Sequence, residues 1–544
     1  MKKLFLLFAL LMLSAGMWAQ DVTVNNIWYT IDLSSGCATV ASGSDATGAV
    51  TIPSTVNYRG TDYPVTIITK YAFSSNTSLT SITIPNSVIT IGDHAFRYCS
   101  GLRTVSMGNS VTSLGSGIFD GCTGLTTITI PNSVTTIGGN AFQNCTGLKS
   151  VTMGTSVTTI GNNAFLNCSE ITSVTWNAKN CDAYYFGNQV ETFVFGNEVQ
   201  VIPNNICNGM TKLTSITIPS SVNSIGQSAF QNCSGLTSVT MGTSVTTIGN
   251  NAFQNCSGLK SVIIGNSVTT IGSGAFDNCP ITSVTWNARN CNSWFFGNQV
   301  ETFVFGKEVQ VIPNNICKGM TKLSSITIPS SVTTIGNNAF QGCSGLSSIT
   351  IPSSVTTISN NIFQDCSGLI SINIPTTVTS IGEGAFSGCS SLPSITLPNA
   401  ISSIGNSVFQ NCSSLTSITI PSTVTTIGNN AFHGCNGLSS ITIPEAVNFI
   451  GDNAFLGCTG LTSINIPQSI TSIHDGMFSG CSGLSSITIP EAVNFIGGSA
   501  FQNCSGLSSI TIPEAVNFIG GSAFQNCSGL SSITIPEAVN FIGG

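Results

Sequence analysis

The chain repeats itself every 23 residues over most of its length, and that period limits what it can fold into. One copy reads Leu79-Thr-Ser-Ile-Thr-Ile-Pro-Asn-Ser-Val-Ile-Thr-Ile-Gly-Asp-His-Ala-Phe96-Arg-Tyr-Cys99. The pattern returns at Phe119, Phe142 and Phe165, and again from Phe340 to Phe524 with no slip in spacing. A fixed period in this range marks a solenoid. A coil this short cannot bury its own apolar side chains, so it must stack on its neighbours.

Within a copy, Ser81-Ile-Thr-Ile84 alternates polar and apolar residues, which predicts a strand with Ile82 and Ile84 inward and Ser81 and Thr83 outward. Pro85 lacks an amide hydrogen and ends it. Val88 and Ile91 supply two more inward residues from a second extended stretch, after which the Gly92 slot turns the chain. That slot also accepts Pro203 and Pro313, so it does not call for a left-handed backbone. Ala95-Phe96-x-x-Cys99 has the spacing of one helical turn. The resulting expectation is an α/β repeat solenoid with a parallel β-sheet on a concave face and short α or 3₁₀ turns on the outer wall.

Residues 21–70 do not follow the period and read as short strands joined by Gly and Ser, a candidate N-terminal cap for an array over 71–544. Two irregular modules, 174–210 and 284–320, interrupt the array. They belong to duplicated segments, 176–222 and 286–332, each with a shortened coil in which Val174-Thr-Trp176 and Phe193-Val-Phe195 stand 19 residues apart. Residues 482–504 and 505–527 are identical, and a third copy stops at Gly544, which reads as an ending inside a repeat.

Only 6% of residues are charged, against about a quarter in an ordinary soluble domain, so Ser, Thr, Asn and Gln must carry solubility. Every Lys and Arg lies at or before Lys322, whereas acids continue from Asp365 to Glu537. That distribution argues against nucleic acid, whose phosphates need clustered cations. Residues 1–20 read as a secretory signal: Lys2 and Lys3, an apolar run from Leu4 to Leu13, then Ala19-Gln20 before Asp21. The run is too short to span a bilayer. The mature protein is expected to be exported, to the cell surface or beyond, and not membrane-spanning.

Export normally turns a count of 21 cysteines into disulfides. Here sixteen occupy one repeat slot, where Met210 and Met320 also occur, while Cys207 and Cys317 occupy the Phe slot. A position that exchanges Cys with Met selects for apolar volume, which favours buried free thiols over disulfide rungs. Single cysteines 23 residues apart lack the close ligand pairs of zinc sites.

The repeat Leu-x-x-Ile-x-Ile-Pro-x-x-Val-x-x-Ile-Gly-x-x-Ala-Phe-x-x-Cys, intact in Leu415–Cys435, resembles the bacterial BspA-like leucine-rich repeat proteins over residues 70–544. The resemblance implies a curved leucine-rich repeat solenoid, displayed on or released from bacterial cells, with roles in adhesion to host matrix proteins or other bacteria. It brings no catalytic residue.

The residues themselves offer little chemistry. His94, His433 and His474 lie in separate repeats, the carboxylates occur singly, and no nucleophile elbow, phosphate loop or dinucleotide fingerprint is present. No enzyme, cofactor or metal site is expected. Recognition has two candidate carriers. One is the hydroxyl array of the Ser-x-Thr face, represented by Thr327, Thr350 and Thr396; its plain alternative is solubility. The other is the irregular modules, where Lys179, Tyr184 and Tyr185 answer to Arg289, Trp294 and Phe295. Aromatics and Arg suit binding centres, but they also suit refilling a shortened coil. The leading expectation is an adhesive scaffold for extracellular proteins or glycans. A structural surface rod is the alternative, and an ice- or crystal-binding hydroxyl array is the third.

Overall fold

A computed structural model describes residues 20–544 apart from 180, 183, 293 and 295. The predicted signal segment, up to Ala19, lies outside the described residues. The described residues divide into two compact units, those up to 259 with 272–279 and those of 260–271 with 280–544. Each is a stack of coils joined by parallel strands.

In the first unit, Gln20–Val24, Ile27–Asp32 and Cys37–Val40 form an antiparallel meander. Its last strand pairs in parallel with Thr61–Ile68, which pairs with Thr90–Ile91 of the first regular coil. Gly48–Thr51 pairs in parallel with Leu79–Ile84. The aperiodic segment therefore feeds two separate ladders, which continue through the repeats.

The first ladder is the predicted Ile-x-Ile strand. Thr127–Thr129, Ser150–Met153, Ser173–Trp176 and Thr192–Phe195 pair in register, with Ile128, Val151, Val174 and Phe193 in one buried row. In the second unit six such strands run from Ser394–Thr396 to Ser509–Thr511, with Ile inward and the flanking Ser and Thr exposed. The second ladder is made of two-residue strands, most of them Thr or Ser before an inward aliphatic residue, as in Ser113–Leu114, Thr136–Ile137 and Thr159–Ile160. A one-residue slip in either ladder would turn a column of Ile into water, so the 23-residue period is also what fixes the register.

The outer wall corrects the sequence reading. Ala-Phe-x-x-Cys forms no helix; among the described residues every such segment is a chain of tight turns. The residue before Ala and the residue before Cys both hold positive φ, as at Asn140 (57°) and Asn144 (57°), which interrupts any helical run. The amides then bond across coils: Asn140 N–H donates to Asn162 O at 3.0 Å, Phe142 N–H to Ala164 O at 2.7 Å, and Asn144 N–H to Leu166 O at 2.9 Å. Asn, Gly, Asp and Ser recur at these two slots because they tolerate the left-handed region. Their side chains add a ladder of their own, with Asn167 Nδ2 donating to Asn144 Oδ1 at 2.8 Å.

Glycine in the Gly92 slot serves close approach and not positive φ, as the proline substitutions imply. A Cβ on Gly138 would sit 2.7 Å from Gly115 C and from Ser116 N of the coil below. Among the described residues the shortened coil contributes no strand to the second ladder, and the next coil is the one that carries Pro203.

Phe rings fill the wall as continuous stacks. Spacings are 5.0–5.3 Å from Phe73 to Phe165 in the first unit and 5.3–5.8 Å from Phe340 to Phe524 in the second. On the second ladder of the second unit, rings at equivalent positions stand only 4.8–4.9 Å apart. Each coil there is thus thicker on the Phe side than on the strand side.

All 21 cysteines are free, and eighteen of them are buried. Their slot is more than apolar volume. Each thiol in the column donates to the Phe-slot carbonyl of the coil below, as from Cys122 Sγ to Phe96 O at 3.0 Å and from Cys366 Sγ to Phe340 O at 3.1 Å, and from Cys233 and Cys343 to the carbonyls of Cys207 and Cys317. Burial pushes Cys412 and Cys458 up, to about 12.

Candidate binding surfaces

The Ser-x-Thr face follows directly from strand alternation: Ile349 and Ile395 are buried, so Thr350 and Thr396 on either side of them point to solvent. Thr327 is exposed in the same motif, but its segment lies outside the paired strands. The face is uncharged over long stretches and presents hydroxyls at one coil spacing after another. It can form many weak hydrogen bonds and offers no reactive group.

The first irregular module shows how a shortened coil is closed. Ser173–Trp176 and Thr192–Phe195 keep full register, so the coil is shortened outside this ladder. Trp176, Phe186, Phe193 and Phe195 pack inside and refill the core. Tyr184 does the same with a polar addition. Its ring meets Phe165 edge-on at 5.5 Å, and its hydroxyl accepts the Phe165 N–H at 2.8 Å. In regular coils that amide bonds a carbonyl of the next coil, so the phenol replaces a backbone group that the short coil lacks. Tyr185 behaves differently: it is 56% exposed and lines a cavity of about 720 Å³ with Asn163, Leu166, Asn167, Tyr184 and Gln189. Lys179 does not join that cavity; it pairs with Glu198 at 2.9 Å, both side chains well exposed.

In the second module Arg289 pairs with Glu308 at 3.2 Å and is likewise exposed. Trp294 meets Phe296 edge-on at 6.4 Å, and Phe295 lies outside the described residues. Of the module residues, Tyr184 and Tyr185 are brought to one cavity, while Lys179 and Arg289 are held in surface ion pairs worth at most about 1 kcal/mol.

The histidines are dispersed. His94 stacks on Tyr71 at 5.3 Å, His474 stands 3.7 Å from Asp452, and His433 meets Gln410 at 3.2 Å, its pKa lowered by burial. Among the described residues no three His, Cys, Asp or Glu side chains cluster to hold a metal.

Sequence reasoning missed one surface. Where most coils place Thr or Ser before the second-ladder Ile, four carry Phe: Phe449, Phe495, Phe518 and Phe541. The signal was legible as Val-Asn-Phe-Ile in place of Val-Thr-Thr-Ile, an aromatic in a slot that alternation turns outward.

The coil geometry and slot chemistry agree with a known repeat. The model of the BspA type leucine rich repeat region matches residues 66–189, 179–302, 310–438 and 426–544. The chain belongs to the BspA-type leucine-rich repeat family. Solved structures similar to this BspA-type chain include a leucine-rich repeat protein from Bacteroides ovatus, 24% identical over 88% of this chain and 99% of that one, with a TM-score of 0.32. A leucine rich cell surface protein from Faecalibacterium prausnitzii is 23% identical over 94% of each chain, TM-score 0.23. The pneumococcal vaccine antigen PcpA is 17% identical over 97% of this chain and all of its own, TM-score 0.25. No curated protein matches the sequence. Among the described residues of this BspA-type chain, no helix is long and apolar enough to cross a membrane.

Proposed function

We propose that this BspA-type chain is an exported scaffold, held at or released from the bacterial surface, that adheres to extracellular proteins or glycans through its Ser-x-Thr face and the Tyr185 cavity. The observation that carries this reading is the in-register hydroxyl face, seen through six paired strands from Ser394–Thr396 to Ser509–Thr511. A rigid array of that kind supplies repeated weak contacts with little ordering cost on binding. The basic, apolar start of the chain supports export.

A solid-phase screen against matrix proteins, mucins and bacterial cells tests the proposal. The double variant Thr350→Glu, Thr396→Glu adds charge to the exposed face without touching the core, so binding is expected to fall about tenfold or more while the far-ultraviolet spectrum and melting curve stay unchanged. Binding that ignores the substitutions would remove the Ser-x-Thr face from the account.

A second reading, a non-binding surface rod, draws on one feature: beyond Lys322 the chain offers trypsin no cleavage site. Silence on every ligand with an intact fold would favour the rod.

A further inference from the structure

In a parallel ladder the residue before each buried Ile faces water, and in most coils it is a small hydroxyl residue such as Thr357, Ser403 or Thr426. Phe495, Phe518 and Phe541 take that position in three consecutive coils of the second unit and pair in direct register. Their rings stack at 4.9 and 4.8 Å with planes 9° and 8° apart. Phe449 holds the same slot two coils earlier, beyond Ser472, 41% exposed, with His474 tilted against it at 5.1 Å. The core does not need these rings. Ile450, Ile496 and Ile519 beside them fill the interior, as the Ile next to a Thr does elsewhere. A solvent-facing apolar ridge of this length is uncommon on a polar repeat surface and marks a contact site.

The ridge has an anionic border. Glu445, Glu491, Glu514 and Glu537 precede the four Phe by four residues each, so a column of exposed carboxylates runs parallel to the rings at constant offset. No Lys or Arg follows Lys322, so the same unit supplies these carboxylates with no lysine or arginine from the neighbouring coils. Like charges one coil apart repel, and a cation brought from outside would relieve them.

We propose that this Phe ridge and its Glu border dock an extended polypeptide in which Lys or Arg alternates with apolar side chains. The apolar groups lie along the ridge and the cations meet the carboxylates. Ring stacking covers both faces of Phe518 and one face each of Phe495 and Phe541, so within the stack the ring edges point outward. That geometry suits apolar packing and not the face-on stacking of a sugar, and a neutral glycan would leave the carboxylates uncompensated. This surface lies on the second ladder and stands independently of the Ser-x-Thr face.

The test titrates the whole protein with three labelled synthetic peptides, alternating Leu-Lys, Leu-Glu and Ser-Lys, by fluorescence anisotropy. Leu-Lys alone is expected to bind. The triple variant Phe495→Thr, Phe518→Thr, Phe541→Thr places the residue of the other coils in each slot, and a melting curve confirms the fold. It is expected to weaken Leu-Lys binding about tenfold or more. Glu491→Gln, Glu514→Gln, Glu537→Gln is expected to weaken it similarly and to flatten its salt dependence. Equal binding of Ser-Lys, or full affinity in the Phe variant, would reduce the effect to ion exchange and overturn the proposal. So would Leu-Glu binding as well as Leu-Lys. Sedimentation showing Phe-dependent association of the chain with itself, without peptide binding, would assign the ridge to a second copy instead.

Discussion

Between pH 9 and pH 12 the protein is expected to lose most of its stability, far more steeply than a domain without buried thiols. The cause is the cysteine column. Burial raises Cys233, Cys343, Cys412 and Cys458 from 9.0 to about 12, because a thiolate in that interior would have no water around it. In the unfolded chain the same thiols ionise at their ordinary value. Below it both states are protonated and the full stabilisation is present. Above it the unfolded state releases protons that the folded state retains, so stability falls until pH passes the folded value. Each such thiol steepens the slope by about 1.4 kcal/mol per pH unit within that window. Circular dichroism along a pH series checks this, with Cys412→Ala, Cys458→Ala as the comparison. That variant starts less stable at pH 7 because it leaves cavities, yet its decline with pH is shallower. An unchanged slope would mean that the thiols already titrate in the folded state.

Phe432→Ala is expected to cost about 3–5 kcal/mol, the range for truncating a fully buried aromatic. Phe432 has no exposed surface and stacks on Phe409 at 5.5 Å and on Phe455 at 5.4 Å. Its removal opens the wall of three coils at once. Coils in a solenoid are stabilised chiefly by their nearest neighbours, so the loss should be local first. Urea unfolding measures the size, and hydrogen exchange should show amides around residues 409–455 opening before distant ones. A loss below about 1 kcal/mol would mean that the Phe stack is not part of a close-packed core.

The sequence made the coil legible because two constraints coincide in it. Ile82 and Ile84 alternate with polar neighbours, and the same alternation returns at a fixed interval, so inward direction and register are set together. Burial of the Cys column was readable from the Cys–Met exchange at Met210 and Met320. The outer wall was not readable from spacing. Phe96 and Cys99 are three residues apart, as in a helical turn, but His94 and Tyr98 hold positive φ and the amides pair with the next coil. Spacing alone cannot tell those arrangements apart; the Asn and Gly residues recurring at the same two slots can. The aromatic run marks Tyr184 as a binding candidate, whereas its hydroxyl stands in for a missing carbonyl while its ring joins the cavity. That role depends on a strand register between coils of unequal length, which no local pattern carries. Phe449 and its column were overlooked because Phe elsewhere in the repeat is core, and only its slot tells the two kinds apart.

Within each unit, successive coils wall off one shared apolar interior. Counting reactive thiols with a water-soluble disulfide reagent at pH 8, before and after denaturation, tests it most directly. Only the half-exposed Cys37, Cys279 and Cys527 are expected to react in the folded protein, and all 21 once it is unfolded. Prompt reaction of most of the column without denaturant would show that the coils do not stack, and the surfaces built on that stacking would go with it.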